Sequence, residues 1–144
     1  MSVLDLWPKI AIMSPYPLII DTNVLLDLFV FEDQRANFLQ AEINGKKAQM
    51  VYCPEMIEEF ADVLSRTQFH LSDEKQKEIL KHWQGLGTLI QIDEQAPLKC
   101  SDPDDQIFIH LAYQLRPAVL VSKDRALIAL QKQLTALEIE LRTY

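Results

Sequence analysis

Along most of this chain, short apolar runs alternate with stretches whose apolar residues recur at helical spacing. Pro17 to Asp21 holds the run Leu18-Ile19-Ile20 and reads as a short buried strand. Asn23 to Phe31 follows as a short helix, and Asp33 to Ile43 as a second one, stopped by Asn44-Gly45. Ala48 to Cys53 is the next strand. Pro54, at a favourable helix start, leads into Ile57, Phe60, Ala61 and Leu64, an i, i+3, i+4, i+7 stripe. Ser72-Asp73-Glu74-Lys75 suits the start of a helix that runs through Ile79, Leu80 and Trp83 to Gly85-Leu86-Gly87. Thr88 to Asp93 predicts a third strand. Asp102 caps a helix from Pro103 to Leu115, which Arg116-Pro117 ends. Ala118 to Ser122 is a fourth strand, followed by a helix from about Arg125 to Gln133. Glu138 to Thr143 alternates as a short edge strand does. Strand–helix alternation without repeats, linkers or low-complexity tracts predicts an α/β sandwich around a largely parallel sheet.

With 144 residues, the chain reads as a single domain large enough for a real core. Its net charge of -7 argues against a broad basic surface that coats nucleic acid. It leaves room for a nuclease, because bound metal ions can meet phosphate where the protein itself is acidic. Cys53 and Cys100 lack Cys-x-x-Cys spacing and read as reduced, buried thiols. Met1 to Pro17 carries Asp5, Pro8 and Lys9 inside its apolar stretch, which fits neither a signal peptide nor a membrane span. A cytoplasmic location without membrane contact is the expectation.

Candidate chemistry gathers at three junctions. Asp21 closes the first strand, Ser101-Asp102-Pro103-Asp104-Asp105 stands before the stripe Ile107, Phe108, Leu111, Ala112, and Val119-Leu120-Val121 runs into Ser122-Lys123-Asp124. In an open parallel sheet the strand ends share one edge, and ligands bind there. Carboxylates far apart in sequence can therefore meet. Two of them about 4 Å apart repel by roughly 4 kcal/mol at an effective dielectric near 20. Such a cluster survives by taking up a proton or by holding a cation. Oxygen ligands without Cys or His suit magnesium or manganese. His70, His82 and His110 share no spacing and read as surface or structural residues. Lys46-Lys47, Lys99, Lys123 and Arg125 read as surface charges first and phosphate contacts second.

Four segments carry a family resemblance. They are Ile19-Ile20-Asp21-Thr22-Asn23-Val24-Leu25-Leu26, Ile57-Glu58-Glu59-Phe60 through Arg66, Asp102-Pro103-Asp104-Asp105-Gln106-Ile107-Phe108-Ile109, and Leu120-Val121-Ser122-Lys123-Asp124-Arg125-Ala126-Leu127. In this order, from Leu18 to about Leu130, they resemble the PIN-domain nucleases, most closely the VapC-like toxin components of bacterial toxin–antitoxin pairs. The resemblance implies a three-layer α/β/α fold, an acidic quartet binding Mg2+ or Mn2+, and hydrolysis of RNA phosphodiester bonds. Matched residue by residue, the quartet is Asp21, Glu59, Asp105 and Asp124. The family's acid-before-apolar pair selects Glu59 over Glu58, which periodicity alone leaves open. An acid seven residues before a small residue selects Asp105, with Ala112, over Asp102 and Asp104. The implied roles are Asp21 and Asp105 as primary metal ligands, Asp124 completing the site, and Glu59 positioning or deprotonating the attacking water. The family often has a further acid two residues after the fourth, where this chain has Ala126.

Simpler roles stand beside these. Asp21 can form a turn, Asp102 and Asp124 can cap helices, Asp105 can favour a helix dipole, and Glu59 can be a solvated residue. Asn23 and Ser122 can orient the acids by hydrogen bonds, and Asp102 can approach a metal through water. The resemblance also implies a homodimer, an RNA substrate and a cognate antitoxin that obstructs the acidic cleft. It spans a domain of residues 17–144. Residues 1–16, with Trp7, Ile10, Ile12 and Met13, form an N-terminal extension that packs on the domain, extends a dimer interface or is disordered. Two rival functions are a phosphotransferase using an aspartyl phosphate, against which Asn23 replaces the usual second acid, and an inactive PIN-like module that binds a protein partner.

Overall fold

The computed structural model describes residues 3–144. The apolar runs form one sheet. Its strands are β1 (Tyr16–Ile20), β2 (Ala48–Tyr52), β3 (Gly87–Leu89), β4 (Ala118–Val121) and β5 (Ile139–Arg142). Their order is β3-β2-β1-β4-β5, and every neighbouring pair is parallel. Strands covered on both faces need continuous apolar runs rather than alternating ones. Accordingly Leu18, Ile19 and Ile20, and all four residues of β4, are buried. Eight α-helices among the described residues complete a three-layer α/β/α sandwich. They are α1 (Val3–Ala11), α2 (Thr22–Phe29), α3 (Asn37–Asn44), α4 (Pro54–Leu64), α5 (Asp73–Leu86), α6 (Gln106–Gln114), α7 (Arg125–Ile128) and α8 (Gln131–Ala136). The core is anchored by Trp83, whose ring meets Phe60 edge-on at 5.2 Å and Tyr52 at 4.8 Å.

From β1 the chain moves to β2 and β3 on one side, then returns to β4 and β5 on the other. Connections leaving β1 and β4 therefore part in opposite directions, and a crevice opens at the carboxyl ends of these two strands. In register, Ile20 lies opposite Val121, so the residues after each strand emerge together at that crevice.

The expected third strand, Thr88 to Asp93, is shortened to Gly87–Leu89. Its partner β2 ends at Tyr52, and after one further bond, from the Ile90 amide to the Tyr52 carbonyl, the chain leaves the sheet. From Gln91 onward its backbone is paired by side chains of α6. Gln114 holds Gln91, Asp93 and Glu94, His110 accepts from the Ala96 amide, and Gln106 bridges Leu98 and Cys100. The expected helix from Asp33 is a 3₁₀ turn (Gln34–Ala36) followed by α3, and the one from Arg125 breaks between α7 and α8.

Of the extension 1–16, residues 1 and 2 lie outside the described residues. In α1, Leu6 and Ile10 have no exposed surface and join the main core. The helix lies beside β5, where Lys9 pairs with Glu138 at 2.6 Å and the Arg142 guanidinium stacks 4.5 Å from the Trp7 ring. No helix among the described residues is long and apolar enough to cross a membrane.

Candidate active site

Asp21 sits where β1 meets α2, and all its polar atoms are engaged. Its amide donates to the Val121 carbonyl at 3.1 Å, its Oδ1 accepts from the Val24 amide at 2.9 Å, and its Oδ2 accepts from the Ser122 hydroxyl. The Val24 bond caps α2, so the turn-forming role is real. Ser122, wholly buried, also accepts from the Asp124 amide at 2.9 Å. One hydroxyl thus ties together two acids that follow the neighbouring strands β1 and β4. Asp124 in turn caps α7, accepting from the Ala126 amide at 2.8 Å.

The third junction folds differently from the α-helix expected from Pro103. Pro103–Asp105 is a 3₁₀ turn capped by Asp102, whose Oδ1 accepts from the Asp104 amide at 3.0 Å. Residues three apart eclipse one another in 3₁₀ geometry. Asp102 and Asp105 therefore present their carboxylates on the same side. Asp102, Asp105 and Asp124 each offer an oxygen, and these oxygens all lie within 4.8 Å of one another. Asp102 therefore stands in this cluster with Asp105 and Asp124, which Asp21 and Glu59 do not join. Glu59 lies across the cleft on α4, where its Oε2 accepts from the Thr22 hydroxyl at 2.9 Å. Glu58 is exposed, whereas Glu59 is half-buried.

These acids line one open cleft of about 290 Å³, together with Asp104. That is roughly ten times one water's share of liquid volume, so there is space for more than a hydrated ion. Asn23 also lines it, but its side chain is exposed and makes no hydrogen bond to an acid among the described residues. Lys123, between Ser122 and Asp124, turns away to pair with buried Asp27, which also accepts from the Tyr144 hydroxyl at 2.6 Å. Sequence reading missed Asp27. The available signal was an acid inside the apolar run Val24-Leu25-Leu26-Asp27-Leu28. His110 is structural, as its bond to the Ala96 amide shows, and His70 and His82 are exposed.

Electrostatics at the centre is unfavourable for an unliganded protein. Burial pushes the Asp21 carboxyl up to about 6, against the opposing Ser122 and Val24 bonds, and the charges of Asp124 and Glu59 add to the rise. Asp105 is driven upward by burial first and then by the charge of Asp124. Glu59 is raised by burial, with the Thr22 bond opposing and the Asp104 charge adding. Asp105 Oδ2 is buried without a hydrogen-bond partner. An unpartnered buried carboxylate oxygen, clustered acids and an all-oxygen donor set fit a hard divalent cation. Thiol chemistry does not compete: Cys53 and Cys100 are buried and free, and burial pushes the Cys53 thiol up to about 11.

Comparison with known proteins bears on the fold and the family. No curated protein matches the chain. Among solved structures, the fold resembles that of a chain from VapBC2 of Rickettsia felis, crystallised bound to a DNA fragment from its promoter. The TM-score is 0.62 over 89% of this chain and 98% of that one, at 13% sequence identity. A family model, the PIN domain, matches residues 17–126.

Proposed function

Because this chain belongs to the PIN-domain family, we propose that it is an Mg2+- or Mn2+-dependent endoribonuclease and the toxin of a toxin–antitoxin pair. The observation that carries the reading is the convergence of Asp102, Asp105 and Asp124 at the β1–β4 crevice, with Asp105 Oδ2 buried and unpartnered. Asp105 and Asp124 would hold the ion with Asp21, and Asp102 joins them directly or through water. When bound, the ion offsets charge building on the scissile phosphate and makes water easier to deprotonate.

The chain's own residues supply the rest. Ser122 and the Val24 amide fix Asp21, so the carboxylate cannot rotate away from the crevice. Thr22 holds one oxygen of Glu59 and leaves the other to orient a water and take its proton. A carboxyl whose pKa is raised by burial is the stronger base for that transfer. Nothing in the cleft calls for a covalent intermediate. The acidic lining repels a phosphate backbone until cations are present, so substrate binding depends on the metal. The likeness to a VapBC2 chain supports a cognate antitoxin as partner; a homodimer is the assembly that the family resemblance alone implies. A second reading, an inactive module that binds protein, draws on Ala126, where related chains often add an acid.

Cleavage of single-stranded RNA by the purified protein tests this. Magnesium or manganese should support it, calcium should bind but support it poorly because its shell is larger and more variable, and chelator should stop it. Glu59→Gln should slow cleavage by roughly 10²–10⁴-fold. It should weaken metal binding, measured by calorimetry, less than Asp21→Asn does. Full activity in chelator, unchanged in Asp21→Asn, would overturn the assignment; metal binding without any cleavage would favour the inactive module.

A further inference from the structure

Glu59, Val63 and Arg66 stand at i, i+4 and i+7 along α4 and the turn that ends it, and all three line the cleft. One wall therefore leads away from the acids and finishes in a guanidinium. Among the described residues lining the cleft, Arg66 is the only cation. Its contact with Asp62, at 3.5 Å between two exposed side chains, restrains it little. The wall continues through the 3₁₀ turn Thr67–Phe69, whose Phe69 also lines the cleft. Against Phe69, at 5.8 Å between ring centroids and tilted by 51°, lies Phe31. Phe31 follows α2, and its amide donates to the carbonyl of Leu26, another cleft residue. It leaves 56% of its surface exposed.

A single exposed aromatic ring is unremarkable. A pair continuous with an acidic cleft, with the cleft's one cation between the rings' turn and the acids, has a more specific use. We propose that Phe31 and Phe69 form a stacking shelf for an unpaired base of the RNA strand, with Arg66 meeting an adjoining phosphate. This rests on the ribonuclease reading above and adds to it a base-binding subsite outside the acidic cluster. A base in a duplex has both faces covered by its neighbours, whereas an unpaired one can give a face to an aromatic ring. A strand that crosses this wall also brings a phosphate to the one cation among the described lining residues, which an apolar peptide segment would not.

The test is equilibrium binding of a short single-stranded RNA containing 2-aminopurine, in calcium, followed by quenching of its fluorescence. The same strand in a duplex is the comparison. Wild-type protein should quench the single strand and bind the duplex at least about tenfold more weakly. Phe31→Ala with Phe69→Ala should weaken single-strand binding by roughly tenfold and remove the quenching, while Phe69→Tyr retains both. Arg66→Ala should lower the salt dependence by about one phosphate contact. Should the double variant melt far below wild type, Phe31→Ala alone, at an exposed position, decides the matter by the same quenching. Unchanged affinity and quenching in a folded shelf variant would overturn the proposal, and the rings would then suit a protein partner. Failure of wild type to bind or cleave any RNA would instead remove the ribonuclease reading, and the shelf with it.

Discussion

Asp21 caps a helix, joins two strands through Ser122 and lines the acidic cleft, and these roles conflict electrostatically. Burial favours its neutral form, so its carboxyl is raised from the ordinary 3.8 to about 6 in the folded chain. A group raised on folding contributes stability that is complete below the unfolded value and is lost as pH climbs through the folded one. Asp21 should therefore cost the metal-free protein about 3 kcal/mol between about pH 4 and pH 7, and Asp105 acts in the same direction. Asparagine keeps the shape and cannot ionise. In chelator, Asp21→Asn should be as stable as wild type or more so near pH 7, with a flatter dependence on pH, and with magnesium or manganese supplied its cleavage should be abolished. Denaturant melts across that range check this. A marked loss of melting temperature in both Asp21→Asn and Asp105→Asn would mean that both acids are chiefly structural.

Among the elements, β3 opens at a residue that its neighbours leave little room for. Gly87, which opens it, has an extended backbone that any residue adopts, so its demand is for space. A Cβ there would lie 2.9 Å from two atoms of the Tyr52 ring and 3.0 Å from the Met50 carbonyl oxygen. That ring packs on Trp83 and its hydroxyl donates to the Gln84 carbonyl at 3.1 Å, so it cannot give way freely. Gly87→Ala should destabilise the protein by about 1–3 kcal/mol. Gly85, two residues earlier within α5, has nothing within 4 Å of such a Cβ. Gly85→Ala should stabilise by about 0.5–1 kcal/mol through helix propensity alone. Thermal melts of the two variants should move in opposite directions, and a common direction would refute this account of the β2–β3–α5 seam.

At the scale of the whole molecule, α1 and Tyr144 are fastened near the sheet's β5 side and the cleft. Tyr144 donates to buried Asp27, which also holds Lys123 beside Asp124, so Tyr144 helps to set the loop carrying an acid of the cleft. At the other end, α1 closes the core over β5 with Leu6 and Ile10. Leu6→Ala or Ile10→Ala should each cost about 2–5 kcal/mol, the usual range for emptying a fully buried aliphatic site. Removing residues 1–13 should lower the melting temperature at least as much. An unchanged melt would show that the helix is dispensable to the domain.

The apolar runs of β1, β2 and β4 were legible because a buried strand is written in consecutive residues. The capping roles of Asp102 and Asp124 were legible too, since each cap reaches a backbone amide only two positions away, whereas Asp21 read as a turn former and proves to cap α2. Acidic junctions after separate strands were enough to expect carboxylates distant in sequence to meet, as Asp102, Asp105 and Asp124 do. Glu59 was separable from Glu58 only through family resemblance, because both flank the same apolar stripe, and packing of α4 against the cleft is what half-buries one and exposes the other. The tertiary structure alone decided the strand order, which brings Ser122 against Asp21 across 101 residues. It likewise cut β3 short where β2 ends, turned Lys123 onto Asp27 and, through a 3₁₀ turn, brought Asp102 in beside Asp105 and Asp124. Caps and strands depend on near neighbours along the chain, whereas Coulomb repulsion and burial depend on distance in space, which strand order and packing set.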